Sequence, residues 1–293
     1  MALLAASGIS AQTKSSAPAA HDCGNGVSLR LSSPSAAQGG LIEAELRSAA
    51  PLAEIKADWA GHELPFWQTA KTNKIQRALI GVDLEREPGK YELKLDAQFP
   101  GGKQLACSVT VAVKAGKFAV EKLTVEKQFV EPSAQDAERA EKEGQRLHEI
   151  YARVTPERLW QGNFRLPLDG ARNAKNFGRR RVLNGQPRSP HSGVDFPAPA
   201  GTPVHATQRG RVVLAENLYY AGNTVVIDHG LGVYTFYGHM ESLSVAEGDA
   251  VEKGAVLGKV GATGRVTGPH LHWGLTVNQA RVNGLQILSL PLT

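Results

Sequence analysis

The sequence predicts a mostly β protein in two parts, joined by one helix. From about Val27 to Val113, short alternating apolar and polar runs are broken by turn formers. Beyond Phe164 the chain again reads as strands, now dense in glycine, and between the two regions a single stretch opening at Ser133 has helical spacing. At 293 residues the chain exceeds the usual single-domain size and has the apolar content for more than one core. The divisions expected are 1–22 for a signal-like, disordered start, 23–116 for a first β domain, 117–157 for a linker with a helix, and 158–293 for a second domain.

The opening Met1 to Ala11 has the apolar and small-residue character of the end of a secretory signal, with Ala11-Gln12 as a cleavage point. It lacks a basic leading region, as a truncated start would. Thr13 to Ala20, rich in Ser, Ala and Pro, is expected to be disordered. His21-Asp22 precede Cys23 where a lipid-modified cysteine would have apolar and small residues, which argues against a lipoprotein. No later run is long and apolar enough to span a membrane. An exported protein of the periplasm, cell envelope or extracellular space is therefore expected.

In the first domain, Leu41 to Leu46, Ala78 to Leu84 and Tyr91 to Leu95 read as strands, punctuated by Glu87-Pro-Gly89 and Pro100-Gly-Gly102. Regular short strands of this kind predict an antiparallel β-sandwich of immunoglobulin-like type. Trp59, Phe66 and Trp67 read as core or sheet-edge aromatics, with carbohydrate binding as the lesser reading. Cys23 and Cys107 are the only cysteines. In an oxidising compartment they would bridge the first ordered residues to the strand Gln104 to Val113, the alternative being two buried free thiols.

Ser133 reads as an N-cap with Asp136 in the first turn, opening a helix to about Val154, where Thr155-Pro156 stops it. Leu147, Ile150, Tyr151 and Val154 form an apolar stripe that should pack on one of the domains.

Three stretches of the second domain carry the chemistry: His191-Ser-Gly-Val-Asp195, Tyr237-Gly-His239 and Pro269-His-Leu-His272. Leu271, Trp273 and Leu275 alternate with His270, His272, Gly274 and Thr276, the pattern of a strand with one apolar face, so both histidines point the same way. Gly193, Pro197, Pro199 and Gly201 exclude a helix carrying His191 and Asp195. A loop entering a strand must bring those two together. Two histidines and a carboxylate converging from separate strands can hold a Zn²⁺ with one position open. The helical HExxH signature is absent. His229 follows the strand Thr224 to Asp228 and reads as a turn or supporting residue, and His205 lacks a constellation; His21, His62 and His148 read as ordinary polar residues.

These motifs resemble the lysostaphin-type zinc metalloendopeptidases that cut bacterial cell-wall peptides. The likeness runs from roughly Asn163 to the end and includes Gly201-Thr-Pro-Val, Asp228-His-Gly-Leu-Gly and Gly248-Asp-Ala-Val-Glu-Lys-Gly254. By resemblance, His191, Asp195 and His272 are the ligands of one Zn²⁺ per chain, and His239 and His270 are the catalytic pair. The resemblance also implies a β-barrel-sandwich catalytic domain, the duplicated hybrid motif, shaped like biotinyl and lipoyl domains. Peptidoglycan peptides are the implied substrate, hydrolysed with His270 as general base and His239 steadying or protonating the developing charge, roles the two could exchange. Some relatives lack the ligands and regulate other wall hydrolases, so an autoinhibited or non-hydrolytic wall-binding regulator is the alternative.

Other classes fit less well. Lys plus Arg number 33 against 28 Asp plus Glu, a mild excess suited to an anionic envelope. Arg179-Arg-Arg181 reads as a solvated loop, because no aromatic platform accompanies it, and no nucleic-acid motif is present. A carrier domain needs a modifiable Lys and no histidine-carboxylate set. The facial triad of non-haem iron oxygenases favours HxD or HxE rather than HxxxD.

Overall fold

The structure is a computed structural model that describes residues 19–69, 74–171 and 174–292. The signal-like opening, and most of the stretch expected to be disordered, lie outside these residues. The chain is mostly β, with one α-helix among the described residues.

Two five-stranded sheets face each other in the first part. One runs in the order His21–Gly24, Val27–Leu31, Leu41–Ser48, Ile75–Gly81, Trp67–Gln68, and the other Ser35–Ala37, Gln104–Lys114, Gly89–Gln98, Glu54–Trp59, His62–Glu63. The inward residues of both, Leu29, Ile42, Leu46, Ile80, Leu93, Leu95 and Val111, are almost fully buried, as alternation on a half-buried sheet requires. Cys23 and Cys107 form a disulfide that ties the first strand of one sheet to Gln104–Lys114 of the other. Trp59 is buried and donates its indole N–H to the Gly81 carbonyl at 2.8 Å, a core role.

The helix spans Ala134–Ala152, and the Ser133 hydroxyl accepts from the Asp136 amide at 3.1 Å, as the sequence predicts. Its stripe of Leu147, Ile150 and Tyr151 packs on Leu214, Leu218, Val226 and Tyr234 of the C-terminal sheet. Val154 is not part of that stripe: it lies beyond the helix end and is 38% exposed.

The C-terminal part is a nine-stranded sheet assembly whose pairing follows Gly193–Pro197, His270–Val277, Val233–Leu243, Gly222–Asp228, Gly210–Leu218, Ala250–Val251. The implied barrel does not close. The assembly branches at Val233–Leu243, which also pairs with Val256–Val260. Leu271, Trp273, Leu275 and Val277 are all buried in its core, which leaves His270 and His272 on the opposite, accessible face.

The two parts keep separate cores but meet through a few shared residues. Leu41, Trp67 and Leu79 join the C-terminal cluster, and the Trp67 and Trp160 rings meet edge to face with centroids 5.4 Å apart. The Asn278 side chain donates to the Leu79 carbonyl at 3.0 Å, and Arg281 pairs with Asp83 at 2.8 Å. Leu79 therefore meets the turn just beyond Val277. That end of the strand is five residues from His272, roughly 17 Å along an extended chain.

Candidate metal centre

Asp195 and His272 are opposite each other in the antiparallel pairing of Gly193–Pro197 with His270–Val277, and Gly238 flanks His272 on the other side. The loop before Gly193 brings in His191, which is 1% exposed. His191 Nε2, Asp195 Oδ1 and His272 Nδ1 converge at 2.9, 3.0 and 2.7 Å from one another. Gly193 is required here, because a Cβ on it would lie 2.6 Å from His272 Nε2 and 2.7 Å from the Trp273 carbonyl oxygen.

His191 Nδ1 lies 2.9 Å from the Asn176 carbonyl, which can only accept, so the proton sits on Nδ1 and Nε2 presents a lone pair to the centre. The Asn176 side chain also brackets Asp195, donating to its carbonyl at 2.9 Å and accepting from its amide at 3.1 Å. Arg181 donates to Asp195 Oδ2 at 3.0 Å, which turns Oδ1 toward the two histidines. Burial alone would raise the Asp195 carboxyl, but the close contacts with His191 and His272 outweigh it and hold the group well below the carboxylate range. Burial favours neutral His272, against the pull of Asp195.

Two imidazole nitrogens and one carboxylate oxygen fit a divalent cation of the type held by nitrogen and oxygen donors. Ligand bonds of 2.0–2.1 Å in a tetrahedron put donors about 3.3 Å apart, only a few tenths more than seen here. The residues present therefore fit a metal. Among the described residues, the other group of potential donors, His21 with Cys23 and Cys107, has its sulfurs committed to the disulfide.

His239 reaches this centre through a bulge. Asn223 pairs with Met240 but Val225 pairs with Tyr237, so the strand carries an extra residue there, and His239 has φ +65°. Regular alternation would put His239 on the same inward side as Tyr237; the bulge turns it instead toward His270, with ring centroids 4.8 Å apart. Its amide donates to the Ala221 carbonyl at 2.7 Å, and its Nδ1 lies 2.9 Å from the Thr263 carbonyl. His270 is held likewise, with Nδ1 2.9 Å from the Gly268 carbonyl and Nε2 3.8 Å from Asp195 Oδ1. Both rings thus keep Nδ1–H on a backbone carbonyl and leave Nε2 free to accept a proton. Burial, reinforced by His272 and His270, pushes His239 down to about 3.

All five sequence-predicted residues come together. His229 lies elsewhere, buried with Nδ1 2.8 Å from the Arg209 carbonyl and Nε2 2.7 Å from the Thr235 hydroxyl, a supporting role. His205 is 3.0 Å from the Gly254 carbonyl. The reading of Arg179 to Arg181 as a solvated loop is wrong. Arg180–Leu183 is a strand paired in parallel with Val120–Leu123, Arg179 pairs with Glu121, and Arg181 holds Asp195. Neither Asn176 nor Arg181 was identified from sequence: Asn176 stands in no motif, and no local spacing relates Arg181 to Asp195.

Residues 189–284 match the sequence model of peptidase family M23. The chain is 35% identical over 208 residues to the peptidoglycan DD-endopeptidase ShyA of Vibrio cholerae, covering 71% of this chain and 44% of that protein. It is 45% identical over 101 residues to the DD-carboxypeptidase/endopeptidase Mpg of Neisseria meningitidis, covering 34% and 23%. The chain spans less than half the length of these curated relatives. A crystal structure from Pseudomonas aeruginosa assigned to peptidase M23 superposes with a TM-score of 0.65 at 29% identity, covering 86% of this chain and 94% of that one. All five clustered side chains fall within the matched span, so the C-terminal part of the chain, residues 189–284, is a peptidase family M23 domain.

Proposed function

We propose that this chain is a zinc-dependent endopeptidase that hydrolyses peptide cross-links or stem peptides of bacterial peptidoglycan outside the cytoplasm. The observation that carries this reading is the convergence of His191, Asp195 and His272 beside two histidines whose Nε2 atoms are free to accept a proton. The names of ShyA and Mpg support the substrate class. The Cys23–Cys107 disulfide suits an oxidising, extracytoplasmic compartment. No helix among the described residues is long and apolar enough to cross a membrane.

One Zn²⁺ on His191 Nε2, Asp195 Oδ1 and His272 Nδ1 would supply the Lewis acidity that activates water and polarises the scissile carbonyl. His270 or His239, neutral and with Nε2 as acceptor, takes the water proton; the Nδ1–H bond to Gly268 or Thr263 then steadies the imidazolium. The same Nε2–H becomes the donor to the departing amine. His270, 3.8 Å from Asp195 Oδ1, is our assignment for the base, and His239, across from it with its Nε2 equally free, can exchange that role with it. Arg181 and Asn176 act through Asp195 and His191, fixing which oxygen and which nitrogen face the centre.

The self-restrained regulator has one observation in its favour: Leu123 and Val125 of the linker line the same cleft arm as His239 and His270. The N-terminal sandwich is not what lies there, since it meets the far end of the strand carrying His272. Incubating the zinc-loaded full chain with defined cross-linked wall fragments and weighing the products by mass spectrometry separates the readings. Dimers split at an amide support the endopeptidase; intact dimers over a saturating enzyme range favour the regulator.

A further inference from the structure

The cleft has two arms, of about 270 Å³ and 190 Å³, and three residues line both: Arg181, His239 and Arg265. Arg181 is committed to Asp195 and lies 3.7 Å from Glu121. Nearby, Arg188 donates to Gln186 at 2.6 Å and to the Val130 carbonyl at 2.8 Å. Arg265 differs. Among the described residues its guanidinium meets no carboxylate or carbonyl acceptor in hydrogen-bond range, only the Tyr220 ring beneath it, 4.4 Å from the centroid.

Its position is nonetheless built. The Arg265 amide donates to the Tyr220 carbonyl at 2.8 Å. Gly264, at φ +75°, presses against the same loop so closely that a Cβ would lie 2.4 Å from the Gly222 nitrogen. Thr263, one residue further back, receives His239 Nδ1 on its carbonyl and the Asn223 amide on its hydroxyl. One loop therefore places the catalytic histidine and the arginine together. A half-buried cation with no acceptor loses hydration, and Arg181 and Arg188 add repulsion; burial first, then those two charges, weaken its hold on its proton. A ring face leaves the N–H edge of a guanidinium open, and that edge matches a carboxylate in bidentate fashion.

We propose that Arg265 receives a carboxylate of the substrate peptide, so that the cleft prefers cross-links in which the residue giving the scissile amide nitrogen carries a free α-carboxylate. A glycine-only bridge has no such group in its interior. Arg265 is on this account a specificity-determining residue. The inference rests on the peptidoglycan endopeptidase reading.

The test compares the full chain with Arg265→Gln and Arg265→Lys on three probes: a D-alanyl-to-diamino-acid cross-linked dimer, the same dimer with that carboxylate amidated, and a pentaglycine-bridged dimer. Cleavage by the zinc-loaded protein is measured as kcat and KM, and binding to the chelator-treated protein by calorimetry. The parent chain should favour the free carboxylate over the amide by about 10- to 100-fold in kcat/KM and in affinity, the scale of a charge-assisted hydrogen bond. Arg265→Gln should erase that ratio, chiefly through a raised KM for the free-carboxylate dimer; Arg265→Lys should restore part of it. Equal loss on both dimers in Arg265→Gln, or no preference in the parent, overturns the proposal. If no probe is cleaved, the endopeptidase reading fails, and the affinity ratio still decides whether Arg265 binds the carboxylate.

Discussion

His272 Nδ1 lies 2.7 Å from Asp195 Oδ1 across a pair of strands that places the two residues directly opposite each other. Two backbones already fixed by the sheet therefore hold two of the three candidate ligands. A three-ligand site cannot spare a ligand, so Asp195→Ala or His272→Ala should abolish stoichiometric zinc binding while the fold survives, read by metal analysis after dialysis. Asn176→Ala should weaken zinc affinity by about 10- to 100-fold, because it removes the two side-chain hydrogen bonds that bracket the Asp195 backbone, while the backbone carbonyl that fixes His191 stays. Unchanged zinc content in Asp195→Ala would remove Asp195 from the ligand set.

Substituting His239 or His270 with Ala should leave zinc occupancy intact and cut turnover by about 10²-fold or more, the scale of a positioned acid-base group. The pair of readouts decides the assignment: loss of metal together with activity would make the substituted histidine a ligand.

How much of this site was legible in the sequence follows from what each residue depends on. The outward face of His270 and His272 was readable from Leu271, Trp273 and Leu275, because strand alternation is a local property and all three are buried. The helix cap at Ser133 was readable for the same reason. The approach of His239 was not derivable from alternation, since it depends on a bulge whose register is set by Asn223 and Val225 on a neighbouring strand. Arg181 is placed by pairing of its strand with Val120–Leu123, far back in the linker, and a charge cluster alone carries no sign of that. Val154 followed the helical spacing, but the helix had already ended at Ala152.

The Cys23–Cys107 bond closes a long loop between the two sheets of the N-terminal sandwich. Reducing it, or the Cys23→Ala/Cys107→Ala double substitution, should cost about 2–4 kcal/mol in denaturant unfolding while leaving zinc content unchanged. Two freely alkylatable thiols in oxidised, native protein would contradict it.

His229 is buried on the Arg209 carbonyl and the Thr235 hydroxyl, and burial pushes it down to about 4 against the ordinary 6.5, a shift the Arg209 hydrogen bond opposes. The folded chain keeps it neutral where the unfolded chain takes up a proton. Its contribution is therefore complete above pH 6.5, falls as the pH drops toward 4, and amounts to about 3 kcal/mol across that window. In chelator-treated protein, His229→Gln should flatten the stability profile between those limits relative to the parent. Parallel profiles would show that His229 is not protected from protonation.

The central claim is amide hydrolysis of the wall by this centre. The most direct measurement treats purified peptidoglycan with the zinc-loaded full chain and follows free amino groups and reducing ends in the same digest. New amino groups without new reducing ends, abolished by chelation and by His272→Ala, are the predicted result. Reducing ends, or no amino groups from a chain carrying one zinc, would contradict the account.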